Sequence, residues 1–102
     1  MSIINANLTT EATPVYTSTG SSATTALYFH NTDGTARTFN LYVVPNGQTI
    51  GNVHRIYGAK SVSSQDTYII DMEKLLLDNG DQLYANASAN SAIVTTISYT
   101  SI

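Results

Sequence analysis

Apolar and polar residues alternate with a period of two through most of this chain, the pattern of half-buried β-strands. Residues 82–88, QLYANAS, show it most cleanly: Leu83, Ala85 and Ala87 fall on one face, Tyr84 and Asn86 on the other. Residues 23–30, ATTALYFH, set Thr25, Leu27 and Phe29 against Thr24, Ala26, Tyr28 and His30. In residues 37–44, RTFNLYVV, Phe39, Leu41 and Val43 point inward, and Tyr42 and Val44 outward. The runs 67–70 and 92–100 are β-branched and aromatic, as strands favour. Residues 12–18 carry Val15 and Tyr16, with Pro14 confining the strand to an edge or a start. Residues 53–60 are a weaker strand holding Val53, Ile56 and Tyr57, in which Gly58 marks a bulge.

Turn chemistry separates these runs. Asn31-Thr32-Asp33-Gly34 lies between 23–30 and 37–44 and predicts a hairpin, because Asn and Asp bond their own backbone and Gly accepts positive φ. Asp78-Asn79-Gly80-Asp81 turns the chain into 82–88. Residues 72–77, MEKLLL, have helix propensity but are too short for an independent helix. They predict a short helical or irregular corner that crosses between sheets and buries Leu75 and Leu77. Residues 1–11, with Ile3 and Ile4, form an N-terminal arm or a first edge strand. Residues 12–102 form a single β-sandwich domain. About seven or eight short strands with turns between them make an all-β fold, a two-sheet antiparallel sandwich. Its expected topology is immunoglobulin-like, with a jelly roll as the alternative.

Composition narrows the role. The chain has 102 residues, enough for one core and too few for two. Only 11% of residues are charged, and the formal net charge is −3 with four basic residues. That balance argues against nucleic acid as a partner, since a phosphate-binding groove needs several Lys or Arg. No stretch reaches the roughly 18 apolar residues of a membrane helix, and the first residues carry no basic and apolar export signal. With no cysteine, disulfide frameworks and thiolate zinc sites are excluded.

Catalytic motifs are not found. His30 and His54 have no second ligand at metal-binding spacing. Asp78, Asn79 and Asp81 cluster oxygens as calcium prefers, but not at EF-hand spacing, and a plain Asx-Gly turn explains them. Asp66 and Asp71 fall on opposite faces of one strand, which argues against a paired-carboxylate site. Gly20-Ser21-Ser22 lacks the nucleophile-elbow pattern. The expectation is a protein that is not an enzyme and uses no metal or cofactor.

The seven tyrosines point to recognition instead. Tyr28, Tyr42 and Tyr84 lie opposite the apolar faces of their strands. In an immunoglobulin-like sheet, Tyr42 and Val44 would lie beside Tyr84 as an outward apolar patch. Exposed tyrosine contributes much contact area at little entropy cost. Ile3, Ile4, Tyr28, Tyr42, Val44 and Tyr84 are therefore the candidate protein-interface residues. The structural alternative is cross-strand aromatic pairing that only stiffens the sheet.

Four stretches carry a family likeness: VYTSTG at 15–20, NLYVVP at 40–45, IDMEKL at 70–75 and GDQLYANAS at 80–88. In these, and in the closing VTTISYTSI, the chain resembles a group of short virion proteins of tailed bacteriophages, over roughly nine tenths of its length. The resemblance implies a virion structural protein assembled in the host cytoplasm, with no catalytic residues to carry over. The favoured role is a capsid decoration or cement protein that binds the major capsid protein or other virion proteins. It would act as a homo-oligomer, a trimer at local three-fold positions being preferred. A neck, tail or fibre subunit is the alternative within the virion. From a different class, a carbohydrate-binding sandwich would use Tyr57 with Asn52, or Tyr84 with Asn86.

Overall fold

Alternation becomes strands because each run buries one row of side chains and satisfies its backbone through a neighbour. The computed structural model describes residues 2–71 and 74–102. Its strands are β1 (Ser2–Asn7), β2 (Thr13–Thr17), β3 (Ser22–Asn31), β4 (Arg37–Val44), β5 (Arg55–Val62), β6 (Thr67–Ile70), β7 (Leu76–Leu77), β8 (Gln82–Ala87) and β9 (Ile93–Ser101). A 3-10 turn, Asn52–His54, precedes β5. One sheet has the order β1-β9-β3-β6, with β7 beside the start of β3; the other has the order β2-β8-β4-β5. All these pairings are antiparallel.

The two-sheet antiparallel sandwich forms as expected, and its strand order decides between the two topologies. With the two-residue β7 set aside, eight strands divide four and four, and the chain changes sheet at most connections. That is the jelly roll. An immunoglobulin-like sandwich would place the first two strands side by side in one sheet; here β1 and β2 lie in opposite sheets. Of the expected arm or first strand, Ser2–Asn7 are an edge strand on β9, and Leu8 is fully buried where the chain crosses to β2.

The predicted hairpin between β3 and β4 does not form, because those strands belong to different sheets. Two interactions tie β3 and the connection after it to the facing sheet. Phe29 of β3 and Phe39 of β4 are fully buried and stack with centroids 3.9 Å apart and planes 8° from parallel. At the end of β3, buried Asn31 donates through Nδ2 to the carbonyls of Thr35 (2.8 Å) and Val62 (3.0 Å) and accepts from the Asp33 amide (2.9 Å). In the connection, Arg37 pairs with Asp33 at 2.6 Å. This guanidinium, with help from the Gly34 amide, holds the Asp33 carboxyl below its usual range.

Face assignments hold along β8, where Leu83, Ala85 and Ala87 are buried. They fail at the start of β3. A register shift between Thr24 and Ala26 inserts a residue, so the parity of the strand changes. Thr24 therefore points inward, where its Oγ1 accepts from the Leu75 amide (3.0 Å). Thr25 turns outward and donates to Ser98 (2.7 Å). The bulge read from Gly58 is present in β5, where the ladder with β4 shifts between Phe39 and Leu41. Its left-handed residue is Ala59, at φ 48°, whose amide donates to Asn40 Oδ1 (2.8 Å).

Part of the expected corner at 72–77, namely Met72 and Glu73, lies outside the described residues. In the remainder, Leu77 is buried and Leu75 packs against the core. However, Leu76 and Leu77 pair with β3 as a short strand, so this segment is not the crossing. The chain changes sheet at the turn 78–81. Gly80 sits there at φ 87°, and a Cβ would fall 2.5 Å from Asn46 Cγ. Its left-handed conformation favours glycine, and any side chain there would also have to displace the Asn46 amide.

Thr95, fully buried on β9, has an Oγ1 with no hydrogen-bond partner among the described residues. It lies opposite Phe29 on one side and Ala6 on the other. Thr95→Val keeps the shape and removes the unmatched hydroxyl, so it is expected to raise unfolding free energy by about 1 kcal/mol. Urea titration followed by circular dichroism would read this as a higher midpoint at unchanged slope.

Candidate functional site

None of the residues in β1, β3, β6, β7 or β9 is Asp, Glu, Lys or Arg. These five strands make up one entire sheet, whereas the other sheet carries Arg37, Arg55 and Lys60. The uncharged sheet turns its inner rows to the core and leaves its outer rows uncovered by any other described element. One outer row runs Asn5, Thr96, Tyr28, Ile69 across four strands, and the next runs Asn7, Val94, His30, Thr67.

The polar groups of this face are largely matched among themselves. Asn5 Nδ2 donates to Thr96 Oγ1 (2.7 Å), Thr25 pairs with Ser98, and His30 Nδ1 meets Thr67 Oγ1 (2.8 Å). Between them stand Ile3 at 67% exposure, Ile69 at 49% and Tyr28 at 38%. Leu76 extends the apolar content at the far corner. Val, Ile and Thr are stiff at χ1, and here they are fixed on a ladder. Covering such a face costs little conformational entropy, and its strands offer no charged side chain to desolvate. A charge reaches it from outside the strands, where Lys74 Nζ donates to the Thr25 carbonyl of β3 (2.7 Å).

The six candidate interface residues do not form one patch. Ile3 and Tyr28 lie on the uncharged outer face. Ile4 is on the inner side of β1, over a cleft of about 350 Å³ that it lines with Pro14, Val15, Tyr16, Thr17 and Tyr99. Tyr42 and Val44 do point away from the core, but the chain covers them: their exposures are 7% and 1%. The segment after Pro45 folds back and packs its 3-10 turn on β4, and the Arg55 guanidinium lies 5.5 Å from the centre of the Tyr42 ring. Tyr84 sits directly opposite Tyr42 and is half-buried, its hydroxyl 3.4 Å from Gln82 Oε1. Tyr42 and Val44 are thus covered, and only Tyr84 of these three keeps partial exposure.

Ile69 and Thr96 are functional candidates that the sequence reading passed over. The signal was present in the lack of charge along their strands. What was missing was the knowledge that those strands are neighbours.

Other candidates are occupied structurally. Asp81 accepts the Asn46 amide on Oδ1 and the Asp78 amide on Oδ2, both at 2.9 Å, and Asn79 Oδ1 accepts the Gly20 amide (2.8 Å). Of the oxygens considered for calcium, those of Asn79 and Asp81 thus organise the turn. His54 accepts the Gly51 amide on Nδ1 (3.0 Å), while its Nε2 meets Gln48 Oε1 (2.9 Å). Of the glycan candidates, Asn86 bonds Asn40 and the Thr10 carbonyl, and Asn52 Oδ1 accepts from Arg55 (2.9 Å). Tyr57 is half-buried with its ring against Phe39 and Tyr68. Asp66 and Asp71 flank the two ends of β6.

No protein family, curated protein or solved structure matches the chain.

Proposed function

We propose that this chain is a structural subunit that works by protein–protein contact through its uncharged outer sheet, as a capsid decoration protein of a phage virion. The observation that carries the contact reading is the concentration of all charge outside one complete sheet. Interface cores are depleted in charged residues and enriched in rigid apolar and aromatic ones, and this face has both properties. The virion assignment draws on the sequence resemblance. The jelly-roll topology is one used by capsid domains, though also by lectins and enzymes. A subunit that binds only the assembled shell stabilises it by mass action, because its binding free energy is absent from the dissociated state.

Quantitative mass spectrometry of purified particles tests the assignment. A head decoration protein is expected at hundreds of copies per particle, on the order of the capsomer number, whereas a neck or tail ring holds about six to a few dozen. Absence of the chain from particles would refute the virion reading. Ile69→Lys tests the surface. The side chain is half-exposed and its substitution leaves the fold within about 0.5 kcal/mol. It is expected to weaken binding to undecorated heads by roughly tenfold or more. Unchanged binding by Ile69→Lys and Tyr28→Lys together would move the contact to another surface.

A further inference from the structure

The two sheets end in four edges, and three are protected against further pairing. Strand β2 carries Pro14 and a register shift beside it. Strand β5 shifts register twice and bears Arg55 and Lys60. Strand β6 has four residues between Asp66 and Asp71. Proline, bulges, charge and shortness are the devices by which proteins keep sheet edges from joining. Strand β1 has none of them: its six residues, SIINAN, are uncharged, free of proline and glycine, and pair with β9 without a register shift.

The direction of its open hydrogen-bonding groups follows from one bond. The Leu8 amide donates to the Ile93 carbonyl of β9 at 2.9 Å. Backbone groups alternate sides along a strand, so the amides of Ile4 and Ala6 also face β9. Those of Ile3, Asn5 and Asn7, with their carbonyls, face outward.

We propose that β1 pairs antiparallel with β1 of a second copy about a two-fold axis at Asn5, joining two uncharged sheets into one. The sequence of the strand suits itself as partner. In that register Ile3 meets Asn7 of the second copy, and on the core side Ile4 meets Ala6, large against small. Asn5 meets its own counterpart. The chain already uses such an amide pair internally: Asn40 and Asn86 are directly opposite on β4 and β8, with Nδ2 to Oδ1 at 2.9 Å. No like charges are brought together, in a chain of net charge −3. Isologous contacts of this kind close as dimers and do not propagate. The pairing stands apart from the virion reading, since particle composition tests one and solution mass tests the other.

Light scattering during size-exclusion chromatography is expected to show mass rising with concentration toward twice that of the chain. Hydrogen exchange resolved by residue is expected to protect the amides of Ile3, Asn5 and Asn7 in the dimer and release them on dilution. Those of Ile4 and Ala6 are expected to stay protected in both. Asn5→Lys places two like charges opposite each other and is expected to give a folded monomer. Mixing it with Asn5→Glu is expected to restore the dimer mass. A wild-type monomer at every concentration, or an oligomer in which the amides of residues 3, 5 and 7 exchange freely, would overturn the pairing.

Discussion

Phe39→Ala is expected to lower the unfolding free energy by about 3–5 kcal/mol, a large share of what a domain of this size has. Phe39 is fully buried and sits at the centre of an aromatic group that spans the sandwich. It stacks on Phe29 of the facing sheet, with Tyr68 at 5.9 Å and Tyr57 at 6.5 Å between ring centroids. Removing the ring forfeits its transfer from water and leaves a cavity. The neighbours are held on two separate ladders, so they close it only in part. Phe39→Leu retains much of the volume and is expected to cost less than half as much. Equilibrium urea unfolding of both variants checks this. A loss below about 1 kcal/mol for alanine would mean that the stack is not where the sheets are joined.

Asn31→Leu is expected to cost about 2–4 kcal/mol, although leucine is apolar and close in size. The Asn31 amide is fully buried and serves three backbone groups, the carbonyls of Thr35 and Val62 and the amide of Asp33. The Val62 carbonyl is in a buried bond and has given up water, and the other two bonds are partly buried. Removing their partner therefore incurs a desolvation cost that apolar contact does not repay. Asn31→Asp provides the control. It preserves shape but replaces a donor with an acceptor facing two carbonyls, and is expected to destabilise at least as much as leucine at neutral pH. Tolerance of aspartate with loss on leucine would show that volume, and not hydrogen bonding, governs this position.

Asn31 also shows why the sequence was ambiguous. Asn-Thr-Asp-Gly reverses the chain equally well within a sheet or across a sandwich, because its chemistry concerns only its own backbone. The choice depends on Val62, which is 31 positions away, and on the Phe29–Phe39 stack. The bulge at Thr24–Ala26 was hidden for a related reason. Nothing in ATTALYFH distinguishes a clean alternation from one with an inserted residue; the registers with Ser98 and Tyr99 of β9 do. Leu76 and Leu77 give up their helix propensity because β3 offers backbone partners that two residues of isolated helix would lack. Tyr42 and Val44 were assigned to the correct side of β4, yet the folding back of residues after Pro45 buried them.

Read alone, the amino-acid order determined that the chain is built of short strands, which residues of β8 face inward, where the turns fall, and which strands lack charge. All of these depend on neighbours within a few positions, through the pleat and through local hydrogen bonds. Only the tertiary structure decided the jelly-roll order and the existence of one uncharged face. Both depend on pairings such as Asn5 with Thr96, 91 residues apart. Such a pairing is chosen by the summed packing of two sheets, and no local pattern encodes it.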